Sequence, residues 1–460
     1  MRKFDKDKYL KKLKFNKYKR YVYIGLPCLL VLLVGIYFAY SKFSVSKDAE
    51  VVRTTVGDFI YGDIVITPYL DGEYSKEFPK EEVGINVEKV TCDNDAVGEW
   101  DEDNWRLKVT NLTKRTKCNV YFVTPKSCDI SDNVSCINSR EELATLATEV
   151  NNGDNKSGKI IYLTSDLDLG GKFDSDGNAL DGNISWTPIG TDNPFSGTFD
   201  GNGHIISNMY INRQSNSNNG LFGSATNGVI KNLGIESSYV LGNIGQGGIV
   251  GISGSIFNCF SDTIVKGNAQ TGGICGAGCN TRNSYNRGKV INGTGDITGG
   301  IQGGWGAIHN SYNYGSVSSD GHSVGGIMGW SGSVYSSYNL GDINNGSGIL
   351  GAATEDSSIV KNFNSGKITG GGGIVTYEYD KYSVDDFKNL SMIIKNNYYL
   401  KDSSTYGLFA YKSNYNSEPL SQDEMPSVIS VINGDNAFVE DTNNINNGYP
   451  ILKWQQERSN

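Results

Sequence analysis

GGIVG at 247–251, GGICG at 272–276, GGIQG at 299–303, GGIMG at 325–329, GILG at 348–351 and GGIV at 372–375 are six statements of one phrase. Their isoleucines, Ile249, Ile274, Ile301, Ile327, Ile349 and Ile374, are spaced by 25, 27, 26, 22 and 25 residues. A second marker runs in phase with them: Phe260, Tyr285, Tyr312, Tyr338 and Phe363, with Asn286, Asn313, Asn339 and Asn364 directly after the last four. A period of this length signals stacked supersecondary units, none of which buries its apolar face alone. The unit holds no helical run. It holds brief β-type steps separated by Gly, Asn, Asp or Ser, which describes one rung of a parallel β-helix. Gly and Asn suit the turns because they tolerate positive φ. Aromatic and Asn side chains at a fixed register would then stack from rung to rung.

Composition agrees with an ordered β protein. The chain has 460 residues with 58 Gly, 9 Pro, 27 Tyr and 17 Phe. High Gly without a three-residue period excludes collagen, and regularly spaced Ile, Val and Tyr supply the core that a disordered chain lacks. The net charge of −9 is unevenly placed, since residues 1–20 carry +8 and leave −17 for the rest. An acidic body of that size argues against nucleic acid as a partner.

Tyr21 to Tyr40 form twenty residues without a charge, bounded by Arg20 and Lys42. At about 1.5 Å per residue they match the roughly 30 Å hydrocarbon core of a bilayer. The sequence thus predicts a cytoplasmic basic tail over 1–20, a transmembrane signal anchor over 21–41 as the lipid-bilayer partner, and an extracellular ectodomain after Lys42. A cleaved signal peptide is the alternative, with Ala39 and Ser41 as weak small-residue positions.

Residues 43–125 alternate in segments such as GDIVITPYL, INVEKV, WRLKVTNL and CNVYFV, which predicts a small all-β, Ig-like sandwich. Its expected role is a stalk. Ser139-Arg140-Glu141-Glu142 is a capping box, and Leu143, Leu146, Ala147 and Val150 follow at helical spacing. The predicted helix over 139–151 is placed to plug the open first rung. The fold class is therefore mainly β: one transmembrane helix, a β-sandwich-like module and a parallel β-helix over 138–455. A capping α-helix starts the solenoid and a C-terminal cap over 376–455 ends it.

The eight cysteines suit an exported chain, with Cys92 and Cys118, and Cys128 and Cys136, as disulfide candidates. Cys259, Cys275 and Cys279 fall inside the repeat, as buried rung positions or a local disulfide rather than half a zinc site.

SDLDLGG (165–171), WTPIG (186–190), FSGTFDGNGHIISN (195–208), GLFG (220–223), IKNLGI (230–235) and the ending INNGYPILKW (445–454) resemble GLUG-motif bacterial surface proteins. The motif also occurs in the N-terminal part of IgA-type metalloendopeptidases. The resemblance covers roughly 138–455 and implies a right-handed β-helix on the cell surface and adhesion. It brings no catalysis, because the peptidases' zinc site lies in a separate domain. This chain has no H-E-x-x-H, and none of His204, His309 and His322 is followed by Glu. Residues 43–125 resemble a module that precedes such repeats in membrane-anchored proteins of Gram-positive lineages.

Three further patterns bear on chemistry. Asp174, Asp176, Asn178 and Asp181 alternate around a Gly turn as calcium ligands do, or form a solvated acidic loop. DGNGH at 200–204 fits a tight turn in which Asp and Asn bond local backbone. Glycan cleavage on a β-helix needs acids gathered on one face. Here Asp262 and Asp342 follow rung aromatics, while Arg287, Asp296 and Asp320 read as falling at other phases. Tyr285, Tyr312 and Tyr338 share one phase and read as a ladder. Trp305 and Trp330, after the Gly-Ile step, read as exposed binding residues for a glycan or a host or cell-surface protein. The expected function is non-catalytic surface interaction; the alternatives are a glycan-active lyase or hydrolase and a passive envelope spacer.

Overall fold

The computed structural model describes residues 133–293, 295–376, 392–408, 412–433 and 437–458, together with Ala96 and seven strands between Ala49 and Phe122. Two compact units divide at 124/125. The expected tail 1–20 and anchor 21–41 lie outside the described residues. Among those described, no helix is long and apolar enough to cross a membrane.

In the first unit, Ala49–Val56, Phe59–Ile66, Thr116–Phe122 and Val87–Cys92 form one antiparallel sheet in that order. Gly72–Glu77, Arg106–Leu112 and Val97–Asp101 form another. Cys92 and Cys118 are register partners across the first sheet and are joined as a disulfide.

The second unit is a parallel β-solenoid of about nine turns. One long column runs through ten strands, from Val134–Ile137 to Ile393–Lys395. A neighbouring column carries the second marker in strict register: Phe260, Tyr285, Tyr312, Tyr338 and Phe363 pair in sequence, and Tyr398 follows. A short third column joins Ile244–Gln246, Ala269–Gly272, Thr298–Gly299 and Val324–Gly325. Within 376–455, the expected cap, Ile393–Lys395 and Asn397–Leu400 still extend two columns before an antiparallel pair, Phe438–Val439 with Ile451–Leu452, and the helix Lys453–Arg458.

The Gly-Gly-Ile step is dictated by closeness between rungs. All six isoleucines are fully buried in one core. The second glycine leaves no room for a side chain: a Cβ on Gly300 would lie 2.1 Å from the Gly326 carbonyl oxygen. The rung corners are left-handed, as the turn residues predict. One corner column holds Asn232, Asn258, Asn283, Asn310, Ser336, Lys361 and Asn396, with φ between 46° and 58°. A second holds Ser253, Gly278, Trp305 and Ser331.

Polar ladders run beside the aromatic one. Asn286 Nδ2 donates to Asn313 Oδ1 at 2.9 Å, and Asn313 to Asn339 and Asn339 to Asn364 at 2.8 Å each. Ser284, Ser311 and Ser337 each accept a backbone N–H from the preceding rung. The rings of Tyr285, Tyr312, Tyr338 and Phe363 stack at 4.8–5.1 Å.

The helix Arg140–Asn151 starts at its expected N-cap, Ser139, although the returning Glu142 bond goes to the residue before the cap. Ser139 accepts from the Glu142 N–H, and Glu142 Oε2 accepts from the Asn138 N–H. Its buried face, Leu143, Leu146, Ala147 and Val150, belongs to the same core as Ile161, Phe195 and the rung isoleucines.

Candidate functional site

Trp305 occupies the second left-handed corner column, at φ 51°, where the neighbouring rungs have Ser253, Gly278 and Ser331. A bulky residue is disfavoured there, since its Cβ crowds the backbone. The side chain is 39% exposed. Its ring meets that of Trp330 on the next rung edge to face, at 5.0 Å and 74°. Gln302, buried behind it, donates to the Trp305 carbonyl. Ile297, itself at φ 69°, lies near Gly304, the register partner of Trp330: a Cβ on Gly304 would lie 3.1 Å from the Ile297 methyl and 4.0 Å from the Trp330 Cβ. Both Trp were expected to be exposed; Trp305 is, while Trp330 is only partly so. The place of Ile297 beside Gly304 was not legible, because only the corner geometry brings it there.

A second irregular region lies beside the aromatic column. Residues 170–184 form an excursion between Leu167–Asp168 and the next rung. Asp174 organises it. One carboxylate oxygen accepts the N–H groups of Asp176 and Asn178, and the other accepts Asn178 Nδ2. These bonds, led by the one to the Asn178 side chain, hold the Asp174 carboxyl below its ordinary range. Asp176 and Asn178 therefore meet Asp174 through N–H donors, and Asp181 is an exposed turn residue. Among the described residues no three His, Cys, Asp or Glu side chains are grouped to hold a metal ion. The hydrogen bonds within the turn give Asp174 and Asn178 a local role.

The excursion is clamped onto the solenoid. Phe173 stacks on Tyr210 at 5.7 Å, and Tyr210 stacks on Tyr239 at 5.6 Å. Tyr210 donates to the Gly177 carbonyl, and Lys266 Nζ donates to that of Asp176 at 2.7 Å. Gly177, at φ 87°, lies so close to the Tyr239 ring that a Cβ there would overlap it. Between excursion and solenoid lies a groove of about 530 Å³, lined by Lys172, Phe173, Leu180, Asn208, Ser237 and Asp262 among others.

At the groove edge, Arg287 bonds Glu236 at 2.8 Å and approaches Asp262 at 4.0 Å. Its guanidinium lies 5.0 Å from the centre of the Phe260 ring. Placing Arg287 at a phase different from Asp262 is incorrect. Each lies two residues after a rung aromatic, and Ser261 pairs with Asn286 immediately before them. Counting acids alone hides an acid–arginine column.

The remaining expected sites are structural in character. Asp200 accepts the Asn202 N–H and the Asn232 side chain and pairs with Lys231 at 3.5 Å, both charges buried. Cys275 and Cys279 form a disulfide inside the core. Cys136 is also disulfide-bonded, while Cys128 lies outside the described residues.

No protein-family model matches the chain. A stretch of 131 residues, 28% of the chain, is 35% identical to halomucin of Haloquadratum walsbyi. A stretch of 85 residues, 18% of the chain, is 35% identical to a protein of Evansella cellulosilytica named as a Gly-rich membrane protein. These matches span only 1% and 9% of the two relatives. Among solved structures, a candidate immunoglobulin A1 protease from Bacteroides ovatus is 21% identical, with a TM-score of 0.41 over 69% of this chain and 92% of its own. At that score the likeness adds nothing to the strand pairing described above.

Proposed function

We propose that this chain is a non-catalytic interaction module of the GLUG type displayed on the outer face of a bacterial cell membrane. Residues 21–41 anchor it in the bilayer, residues 1–20 stay in the cytoplasm, and a sandwich-like module at 43–125 serves as the stalk. The helix Arg140–Asn151 caps a right-handed solenoid. The name of the Evansella relative supports a membrane setting. The occupied disulfides support an oxidising compartment.

One observation carries the binding role. A half-exposed Trp stands at a left-handed corner where adjacent rungs use Ser or Gly, against Trp330. Folding alone is better served by Gly there. A partly exposed aromatic pair suits a sugar face or an apolar side chain of a protein partner. Replacing Trp305 and Trp330 together by Ala is expected to abolish binding of displaying cells to matrix proteins and to weaken their binding to glycan arrays. Protease shaving of intact cells should release the solenoid. Unchanged binding by the double variant would leave the spacer reading in place.

A glycan-cleaving role is the second reading, because Glu236 and Asp262 converge on Arg287 from neighbouring rungs. Release of reducing ends from polysaccharide that disappears with Glu236→Gln would favour it over the binding module.

A further inference from the structure

We infer that the groove beneath the 170–184 excursion is a binding site for a neutral saccharide of one or two rings, separate from the Trp305–Trp330 patch. Three irregularities of an otherwise periodic fold coincide there. The excursion interrupts the rung. The ladder between Gly234–Leu241 and Phe260–Gly267 shifts register between Ile235 and Ser238, which is a bulge. Asn208 and Ser237, both on the lining, have left-handed backbones at φ 54° and 47°. The wall is preorganised, since Tyr210, Tyr239 and Lys266 hold the excursion by ring stacking and by hydrogen bonds to its backbone.

The chemistry of the lining selects the ligand class. Its volume of about 530 Å³ lies within the ordinary range for small-ligand sites. Phe173, Leu180 and Ile264 offer an apolar surface to the C–H face of a sugar ring. Asp262 accepts hydroxyl hydrogens, while Lys172 and Asn208 donate to hydroxyl oxygens. One acid and one base on the lining favour neither a polyanion nor a polycation. The acidic body of the chain further disfavours uronates. A peptide strand finds little edge to join, because Gly234–Leu241 is paired on both sides along most of its length.

The test titrates the full chain with neutral hexose and N-acetylhexosamine oligosaccharides, with uronate oligosaccharides as charged counterparts, by calorimetry and saturation-transfer NMR. Binding of a neutral oligosaccharide is expected. Asp262→Asn should weaken it about tenfold or more through loss of a charge-assisted hydrogen bond. Leu180→Arg, at a position 51% exposed, should block the mouth without disturbing the fold. Trp305→Ala with Trp330→Ala should leave this binding unchanged, so the two sites can fail separately. Absence of neutral-saccharide binding, preference for uronates, or binding indifferent to both groove variants overturns the assignment.

Discussion

At the residue scale, the most consequential side chains in the solenoid are polar. Asn313 is fully buried. It donates to Asn339 Oδ1 and to the Gly315 carbonyl, and it accepts from Asn286. An amide carries two donors and an acceptor on one planar group, so a single residue type can serve the rung above, the rung below and its own turn. Asn313→Ala would strand the Asn339 oxygen and an Asn286 hydrogen in a dry interior. The expected cost is about 2–4 kcal/mol, from unpaired buried amide groups. Exposed Asn344→Ala, by comparison, should shift stability by less than about 0.5 kcal/mol. Urea unfolding of the two variants side by side checks this. Equal midpoints would mean that stacking, rather than the amide ladder, holds the rungs.

At the element scale, the C-terminal segment has more contacts with the rungs than a bare end piece needs. Trp454 packs against Tyr285 at 6.0 Å and Tyr312 at 5.7 Å, and its indole N–H donates to the Asn310 carbonyl at 2.9 Å. Gln455 accepts the Tyr338 hydroxyl, and Phe438 joins the same cluster. Burial pushes the Tyr338 phenol well above its ordinary range, as expected for a ring sealed under this segment. Trp454→Ala should therefore raise amide exchange across 437–458 while leaving the core strands at 302–309 protected. Exchange that rises equally in both regions would show the segment to be integral to the stack. This docking was not legible in the sequence. It joins residues 144 apart through one indole, whereas periodic marks reveal only neighbours one rung away. The groove escaped for a related reason. Its clamp links Asp176 to Lys266, and its bulge breaks the phase that made the rest readable. By contrast, the rung aromatics, the amide ladder and the buried isoleucines were all visible beforehand, because each repeats a demand that stacking imposes identically on every turn.

At the scale of the whole molecule, a solenoid is a stack of marginal units whose stability comes from neighbour contacts, so its ends decide whether it stays a monomer. Val134–Ile137 is the terminal strand of the long column, bonded to Ile160–Leu163 on one side. The helix Arg140–Asn151 follows at once and places Leu143, Leu146, Ala147 and Val150 in the core with Phe195 and Ile189. Asn151 ties its far end to the chain at 188–191, bonding Pro188, Gly190 and Thr191. If the helix is the cap, removing its apolar face should harm association behaviour more than the middle of the stack. Leu143→Asp with Leu146→Asp forfeits about 2–5 kcal/mol for each buried leucine, in addition to the penalty of facing a carboxylate toward the core. Concentration-dependent association should then appear in light scattering, because the uncovered rung offers both apolar surface and strand edges. Amide protection in the central rungs, bonded on both sides, should persist at low protein concentration. A double variant that stays monomeric with an unchanged melting temperature would show that the first rung tolerates solvent unaided, and the helix would then be an appendage of the solenoid rather than its cap.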